Sequence, residues 1–221
     1  MSRQMFPTVE YQTLRDFTGL PIIREACARG HEGVRVTHLP ALPIGPELRK
    51  TQSDCPAFIK DELSQPLAPI ATSARSLMLT LHEISHVIFN NISHALELPW
   101  EKYLSEMHEF DSQGNDELRI VHHGQDVLLK WSTLTIVISL SDPQEATISF
   151  GKALFVFSEG LTAQPSSSIL EARSLPADSE NSWIVYYVRP NKDVFYTQTA
   201  GALMTPLSVQ DYETRKRVSQ L

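Results

Sequence analysis

Ala74-Arg75-Ser76-Leu77-Met78-Leu79-Thr80-Leu81-His82-Glu83-Ile84-Ser85-His86-Val87-Ile88 is the start of the segment on which the fold turns. Leu77, Leu81, Ile84, Ile88, Ile92 and Ala95 recur at three- and four-residue spacing, which predicts a helix over residues 74–97 with one apolar face, closed by Pro99. A stripe of that length needs a broad apolar surface to cover it.

The sequence downstream supplies one. Residues 117–123, 127–140, 146–157 and 182–189 are rich in β-branched and aromatic side chains and read as strands. Upstream, a short strand around Val9 precedes a helix in which Leu20, Ile22, Ile23 and Ala26 share a face, ended by Gly30. A strand over residues 33–39 follows, broken by Pro40, Pro43 and Pro46, and a proline-rich loop to Pro69 is expected to cover the core. A short helix over residues 100–107 and a terminal helix over 208–221 complete the reading. Helices first and strands afterwards predict an α+β domain, a β-barrel or sandwich buttressed by the long helix.

The bulk properties agree with one domain. The chain has 221 residues, 42% of them hydrophobic and 20% charged, which suits a single sizeable core rather than disorder. Net charge is −7, and the basic residues are scattered apart from Arg215, Lys216 and Arg217, so nucleic acid is not an expected partner. Cys27 and Cys55 are too few for a disulfide framework and form no CxxC pair. Residues 1–11 lack the apolar run of a signal peptide and no stretch is long enough to span a membrane, so the expected address is cytoplasmic.

Four segments, in order, resemble the isopenicillin-N-synthase-like branch of the non-haem iron, 2-oxoglutarate-dependent oxygenases. The first is Ile23-Arg24-Glu25-Ala26-Cys27 with Gly33-Val34-Arg35-Val36-Thr37-His38-Leu39-Pro40, where Leu39 stands at the family's turn glycine. The second is Leu96-Glu97-Leu98-Pro99-Trp100, similar to the exit of the family's backbone helix, with Glu97 in place of glycine. The third runs from His108-Glu109-Phe110-Asp111 through Leu118-Arg119-Ile120-Val121-His122-His123, with Val121 and His123 at the positions that face the family's cofactor pocket. The fourth is Ile184-Val185-Tyr186-Tyr187-Val188-Arg189-Pro190-Asn191, similar to the closing strand, with Asn181 and Trp183 where an Arg and a Ser hold 2-oxoglutarate.

The resemblance implies a double-stranded β-helix, or jelly roll, as a single domain over 1–221. Residues 1–72 would form the N-terminal helix, strand and proline-rich loop, 73–107 the buttressing helices, 108–199 the β core and 200–221 a C-terminal helix. About ninety residues of a typical family chain have no counterpart, which implies a shortened barrel. It also implies a departure at the chemistry. Where the family has an iron-binding His-x-Asp before a Thr-Leu-Thr strand, this chain has Lys130-Trp131-Ser132 before Thr133-Leu134-Thr135. Near the distal histidine it has Pro165-Ser166-Ser167. A protonated lysine cannot ligate iron and a serine hydroxyl is a poor neutral ligand, so no cofactor is expected.

On that basis the expected function is transformation of a small natural-product intermediate in secondary metabolism by cofactor-independent cyclisation or isomerisation. His123, Lys130, Ser132, Tyr186 and Tyr187 are the candidate catalytic residues, supplying shape, hydrogen bonds and proton transfer. Tyr186 and Tyr187 must point to opposite faces of their strand, as must His122 and His123.

Three alternatives stay open. His82-Glu83-Ile84-Ser85-His86 matches HExxH, in which two imidazoles one turn apart bind zinc and the glutamate activates water. A third ligand would have to be Glu106 or Glu109, since Phe89 and Ile92 stand where the metzincin continuation needs Gly and His. The competing reading is that His82 and His86 are helix-flank histidines satisfied by polar neighbours, with His94 complementing the helix dipole. A second alternative is a true Fe(II) and 2-oxoglutarate oxidoreductase with unusual ligands, His122 or His123 with Asp126 and Asp142. The third is a non-catalytic pseudo-oxygenase that binds a small molecule. Ser166, Ser167 and Ser168 lack a GxSxG elbow, so a serine hydrolase is not indicated.

Overall fold

A computed structural model describes residues 6–49, 57–59, 69–99, 103–111, 115–122, 125–129, 131–163, 167, 169–170, 175–176, 182–191, 194–196 and 207–208. In chain order the elements are β1 (Thr8–Glu10), α1 (Tyr11–Arg15), α2 (Leu20–Ala28), β2 (Gly33–Thr37), α3 (Pro46–Arg49), β3 (Ala57–Ile59) and α4 (Pro69–Ala95). A 3-10 turn (Leu104–Met107) leads to β4 (Glu117–Val121), β5 (Val127–Leu128), β6 (Leu134–Ser139), β7 (Ala146–Phe150) and α5 (Lys152–Phe157). β8 (Ile169–Leu170), β9 (Trp183–Val188), β10 (Phe195–Tyr196) and β11 (Leu207–Ser208) complete the series.

Seven strands form the main sheet in the order β1-β2-β7-β6-β9-β4-β3, with β5-β8 and β10-β11 as separate pairs. Every neighbouring pair is antiparallel except β1 and β2. Strands β1, β2 and β3 come from the first 72 residues, so the N-terminal region is part of the sheet rather than a separate cover.

The pleat sorts the two faces. On one face Leu118, Tyr186, Ile136, Ile148 and Val34 lie in one row across the sheet, and Ile120, Ile184, Ile138, Ala146 and Val36 in the next. These residues join Leu77, Leu81, Ile84 and Ile88 of α4 in one buried core. Burying a Leu or Ile side chain stabilises by roughly 1.5–3 kcal/mol, so this layer holds helix to sheet. On the opposite face Glu117, Tyr187, Thr135 and Ser149 share a row, and Arg119, Val185, Val137 and Thr147 the next. There a smaller cluster of Val121, Val137, Trp183, Val185 and Tyr187 packs on Val127 of β5 and Leu170 of β8. A main sheet with a short pair across one face and a long helix across the other is the α+β jelly-roll arrangement.

Several elements differ from the sequence reading. The predicted strand over 127–140 is two strands, β5 and β6, because Ser132 and Thr133 turn the chain between them; the Ser132 carbonyl accepts from the Ala153 amide at 3.1 Å. The predicted strand over 146–157 ends at Phe150, and α5 begins after Gly151. A Cβ on Gly151 would run into the Ser132 carbonyl oxygen, so only glycine permits that crossing. The long helix starts at Pro69, where proline's missing amide costs nothing. Its exit is made by Glu97, in the left-handed region at φ 54°, with the Leu98 amide donating to the Ser93 carbonyl at 3.0 Å. At the turn after β2, His38 rather than Leu39 takes the left-handed conformation, at φ 57°. Of the predicted terminal helix, Ser208 belongs to β11, and residues 209–221 lie outside the described set.

Candidate functional site

The two strands that bear the family-like positions lie side by side. Val121 of β4 is paired with Trp183 of β9, and both belong to the cluster under the β5-β8 pair. The face carrying Glu117, Arg119, Thr135 and Tyr187 is therefore the one that holds the positions the resemblance assigns to the cofactor pocket.

One row of this face is polar and closed to water. Tyr187 is buried and donates from its hydroxyl to the Leu128 carbonyl of β5 at 2.7 Å, tying the sheet to the strand above it. Ser132 is buried, with its hydroxyl 3.0 Å from that of Thr135. Arg189 donates to the Glu117 carboxylate at 2.8 Å and to the Trp131 carbonyl at 3.1 Å, and its guanidinium lies 5.8 Å from the centre of the Tyr187 ring. Glu117 also accepts from Arg119, which remains partly exposed. Sequence reasoning missed this Glu117, Arg119 and Arg189 group. The alternation of charged and apolar residues in Glu117-Leu118-Arg119-Ile120 was its available signal.

Tyr186 lies on the other side of the sheet. Its hydroxyl donates to Asp116 at 2.7 Å and is 3.4 Å from Nδ1 of His82. The candidate residues thus divide, with Tyr187 on the pocket face, Tyr186 under α4 and Ser132 at the turn into β6. His123, Lys130 and Ser166 lie outside the described residues, as does Asn181.

The polar cluster under α4 is built around His108. Its Nδ1 lies 2.5 Å from the Leu104 carbonyl, which can only accept, so Nδ1 bears the proton and Nε2 accepts from the Thr133 hydroxyl at 2.6 Å. Burial holds this imidazole far down, to about 3, despite the nearby Asp116 charge. His82 and His86, one turn apart on α4, bring their Nε2 atoms within 3.1 Å of each other. Glu83 is exposed, on the flank of α4 near Tyr11, and Glu106 and Glu109 are exposed as well. The base and third ligand of a zinc hydrolase are therefore not assembled around the HExxH pair. His94 is exposed and makes edge contacts with Phe17 and Tyr103.

No family model matches the sequence and no curated protein is similar to it. Solved structures are. A full-length Neurospora crassa protein in complex with alpha-KG superposes with a TM-score of 0.62 at 9% identity, over 100% of this chain and 98% of that one. JOX2 with 2OG, Fe and JA gives 0.63 at 13%, over 97% of this chain and 85% of JOX2. The dioxygenase for auxin oxidation of rice gives 0.60 at 12%, over 97% and 95%. The chain thus has the fold of the 2-oxoglutarate and iron oxygenases.

This result corrects one expectation. The missing ligand types predict no cofactor, yet the same fold holds alpha-KG in the Neurospora crassa protein and both 2OG and Fe in JOX2. Among the described residues the pocket face does not itself fit an iron, since Val121, Ser132 and Trp183 are not metal donors. No group of three His, Cys, Asp or Glu side chains among the described residues is placed to hold a metal ion. Asp126 and Asp142 are exposed, and His122 turns its Nδ1 to the Ser182 hydroxyl at 3.0 Å. Among the described residues no helix is long and apolar enough to cross a membrane.

Proposed function

We propose that the chain is an Fe(II)- and 2-oxoglutarate-dependent oxidoreductase acting on a small organic molecule, bound on the polar face of the main sheet beneath the β5-β8 pair. The observation that carries this reading is the row Glu117, Tyr187, Thr135 and Ser149, polar and buried across four strands, where the opposite face is apolar but for Tyr186. A sheet face that only packed would be cheaper to bury with Val and Ile, so buried polar groups at this position suit a lining for a polar ligand. Arg119 brings positive charge to the same face, the complement of a carboxylate ligand.

The molecules bound in structures of this fold, thymine in the Neurospora crassa protein and JA in JOX2, support the small-molecule class. We assign a substrate of secondary metabolism, with His123 and Lys130 proposed as site residues in addition to Ser132 and Tyr187. Bound iron with 2-oxoglutarate would activate dioxygen, the oxidant, toward the substrate, and the donors proposed for it are residues other than the described ones, His123 first among them. The domain is proposed to span 1–221 and to work in the cytoplasm.

Anaerobic titration of the full chain with Fe(II) and 2-oxoglutarate tests the reading. A visible charge-transfer absorption that saturates, and that His123→Ala abolishes, is the expected result. Absence of the band together with absence of 2-oxoglutarate binding by calorimetry would overturn it in favour of a non-catalytic binding protein.

A further inference from the structure

The pair of imidazoles under α4 lies on the far side of the main sheet from the pocket face and has no part in the proposed reaction. Nε2 of His82 and Nε2 of His86 stand 3.1 Å apart, and both face the carbonyl oxygen of His108, at 2.6 and 2.7 Å. Asp116 lies 3.3 Å from Nδ1 of His82, holding that ring from behind while its Nε2 faces the same oxygen as Nε2 of His86. A divalent cation seated among the three converging atoms would take each of them as a donor.

We infer that Nε2 of His82, Nε2 of His86 and the carbonyl oxygen of His108 form a zinc site that clamps α4 to the segment entering β4. The i,i+4 spacing on a helix puts both imidazoles on one face. Nitrogen donors select a borderline transition metal over magnesium or calcium. Zinc bonds of about 2.0–2.1 Å to a tetrahedral set place donors about 3.3–3.4 Å apart, so the two imidazoles are nearly at that spacing and each must draw back from the carbonyl oxygen by about 0.7 Å.

Behind the ligands stands the support that metal-binding histidines normally have. Asp116 meets Nδ1 of His82 and is itself held by the Tyr186 hydroxyl and the Arg189 amide, each at 2.7 Å. Two imidazoles and one carboxylate are also the composition of an iron facial triad, but Asp116 reaches the back of the ring rather than the vertex. With Glu83 at the surface, the site has no general base among the described residues, so the clamp is structural and not hydrolytic.

The test uses the full chain, stripped with chelator and dialysed against buffered zinc. Expected are about one retained zinc per chain, a saturable rise in Tm of roughly 5 °C at about a hundredfold excess over Kd, and visible absorption on cobalt(II) substitution. His86→Ala is expected to abolish all three, and Glu83→Gln to leave them unchanged. His82 is buried, so His86→Ala and His86→Gln are the deciding variants, with metal-free circular dichroism compared with wild type. Retention of zinc by both variants, which places the metal elsewhere, or no retention and no Tm shift in wild type, overturns the assignment.

Discussion

Asp116 and Tyr186 meet at 2.7 Å in the layer between sheet and long helix, the polar break in an otherwise apolar face of the sheet. Tyr186 stands in the row of Leu118, Ile136, Ile148 and Val34, and its ring packs with them while its hydroxyl reaches past the edge of β4. The carboxylate it meets gathers three groups, the Tyr186 hydroxyl, the Arg189 amide and His82 on α4. Burial raises the Tyr186 phenol well above its ordinary range, so it keeps its proton and donates at neutral pH.

Asp116→Asn follows directly. Burial by itself raises the Asp116 carboxyl, but hydrogen bonds from His82, the Arg189 amide and Tyr186 outweigh it and hold the group below its ordinary 3.8. A folded-state value below the unfolded one means that the carboxylate stabilises above the ordinary carboxyl range and ceases to as pH falls through the folded value. In chelator-treated protein the variant should lose ~3 kcal/mol at pH 7 by urea unfolding, with the gap from wild type closing in strong acid. Equal stabilities at neutral pH would remove Asp116 from this role.

His108 sets a second pH dependence, nearer neutrality. Burial pushes its pKa to about 3, against 6.5 for an ordinary imidazole, so the unfolded chain binds a proton that the folded chain refuses. The stabilisation is complete above the unfolded value and is lost as pH falls from there towards the folded value. Metal-free wild type should lose ~2 kcal/mol between pH 7 and pH 5 from this group, and His108→Gln should lack that slope. Imidazole NMR gives an independent check, with a neutral Nδ1–H tautomer persisting to pH 5.

Glu97 sits where a glycine belongs. Its φ of 54° is a left-handed conformation that a side chain disfavours, and its close charge partner among the described residues is Arg24 at 3.8 Å, both well exposed. Glu97→Gly should therefore stabilise the chain by about 1 kcal/mol in thermal unfolding. A destabilised variant would show that the helix exit is held by something other than this backbone geometry.

Tyr187→Phe should separate the two sides of the sheet. Removing the hydroxyl deletes the bond to the Leu128 carbonyl and costs ~1 kcal/mol, while loosening β5 over the pocket face. The expected signature is weaker 2-oxoglutarate binding by calorimetry with unchanged zinc retention. Tyr186→Phe should do the reverse, and identical behaviour of the two variants would deny that the faces are functionally distinct.

Much of the fold is legible in the chain itself. The period of Leu77, Leu81, Ile84 and Ile88 marks one face of a helix whatever it packs against, and the β-branched runs at β4, β6 and β9 mark strands. Strand boundaries at Ser132 and Gly151 are not legible, because they depend on the approach of one backbone to another across the sheet. The candidate site is less readable. Alternation along β9 puts Tyr186 and Tyr187 on opposite faces, but which face would hold a ligand rests on a partner strand, β5, that pattern alone merges into β6.

The linear order of residues was enough to determine that a long amphipathic helix would cover one side of a sheet, since hydrophobic spacing is a local property carried along the chain. Tertiary structure decided which polar groups meet. Asp116, His82, His108 and Tyr186 come from separate elements, and their convergence depends on strand register and on the exit angle of α4. Those quantities arise only when distant segments pack, and no pattern within one segment encodes them.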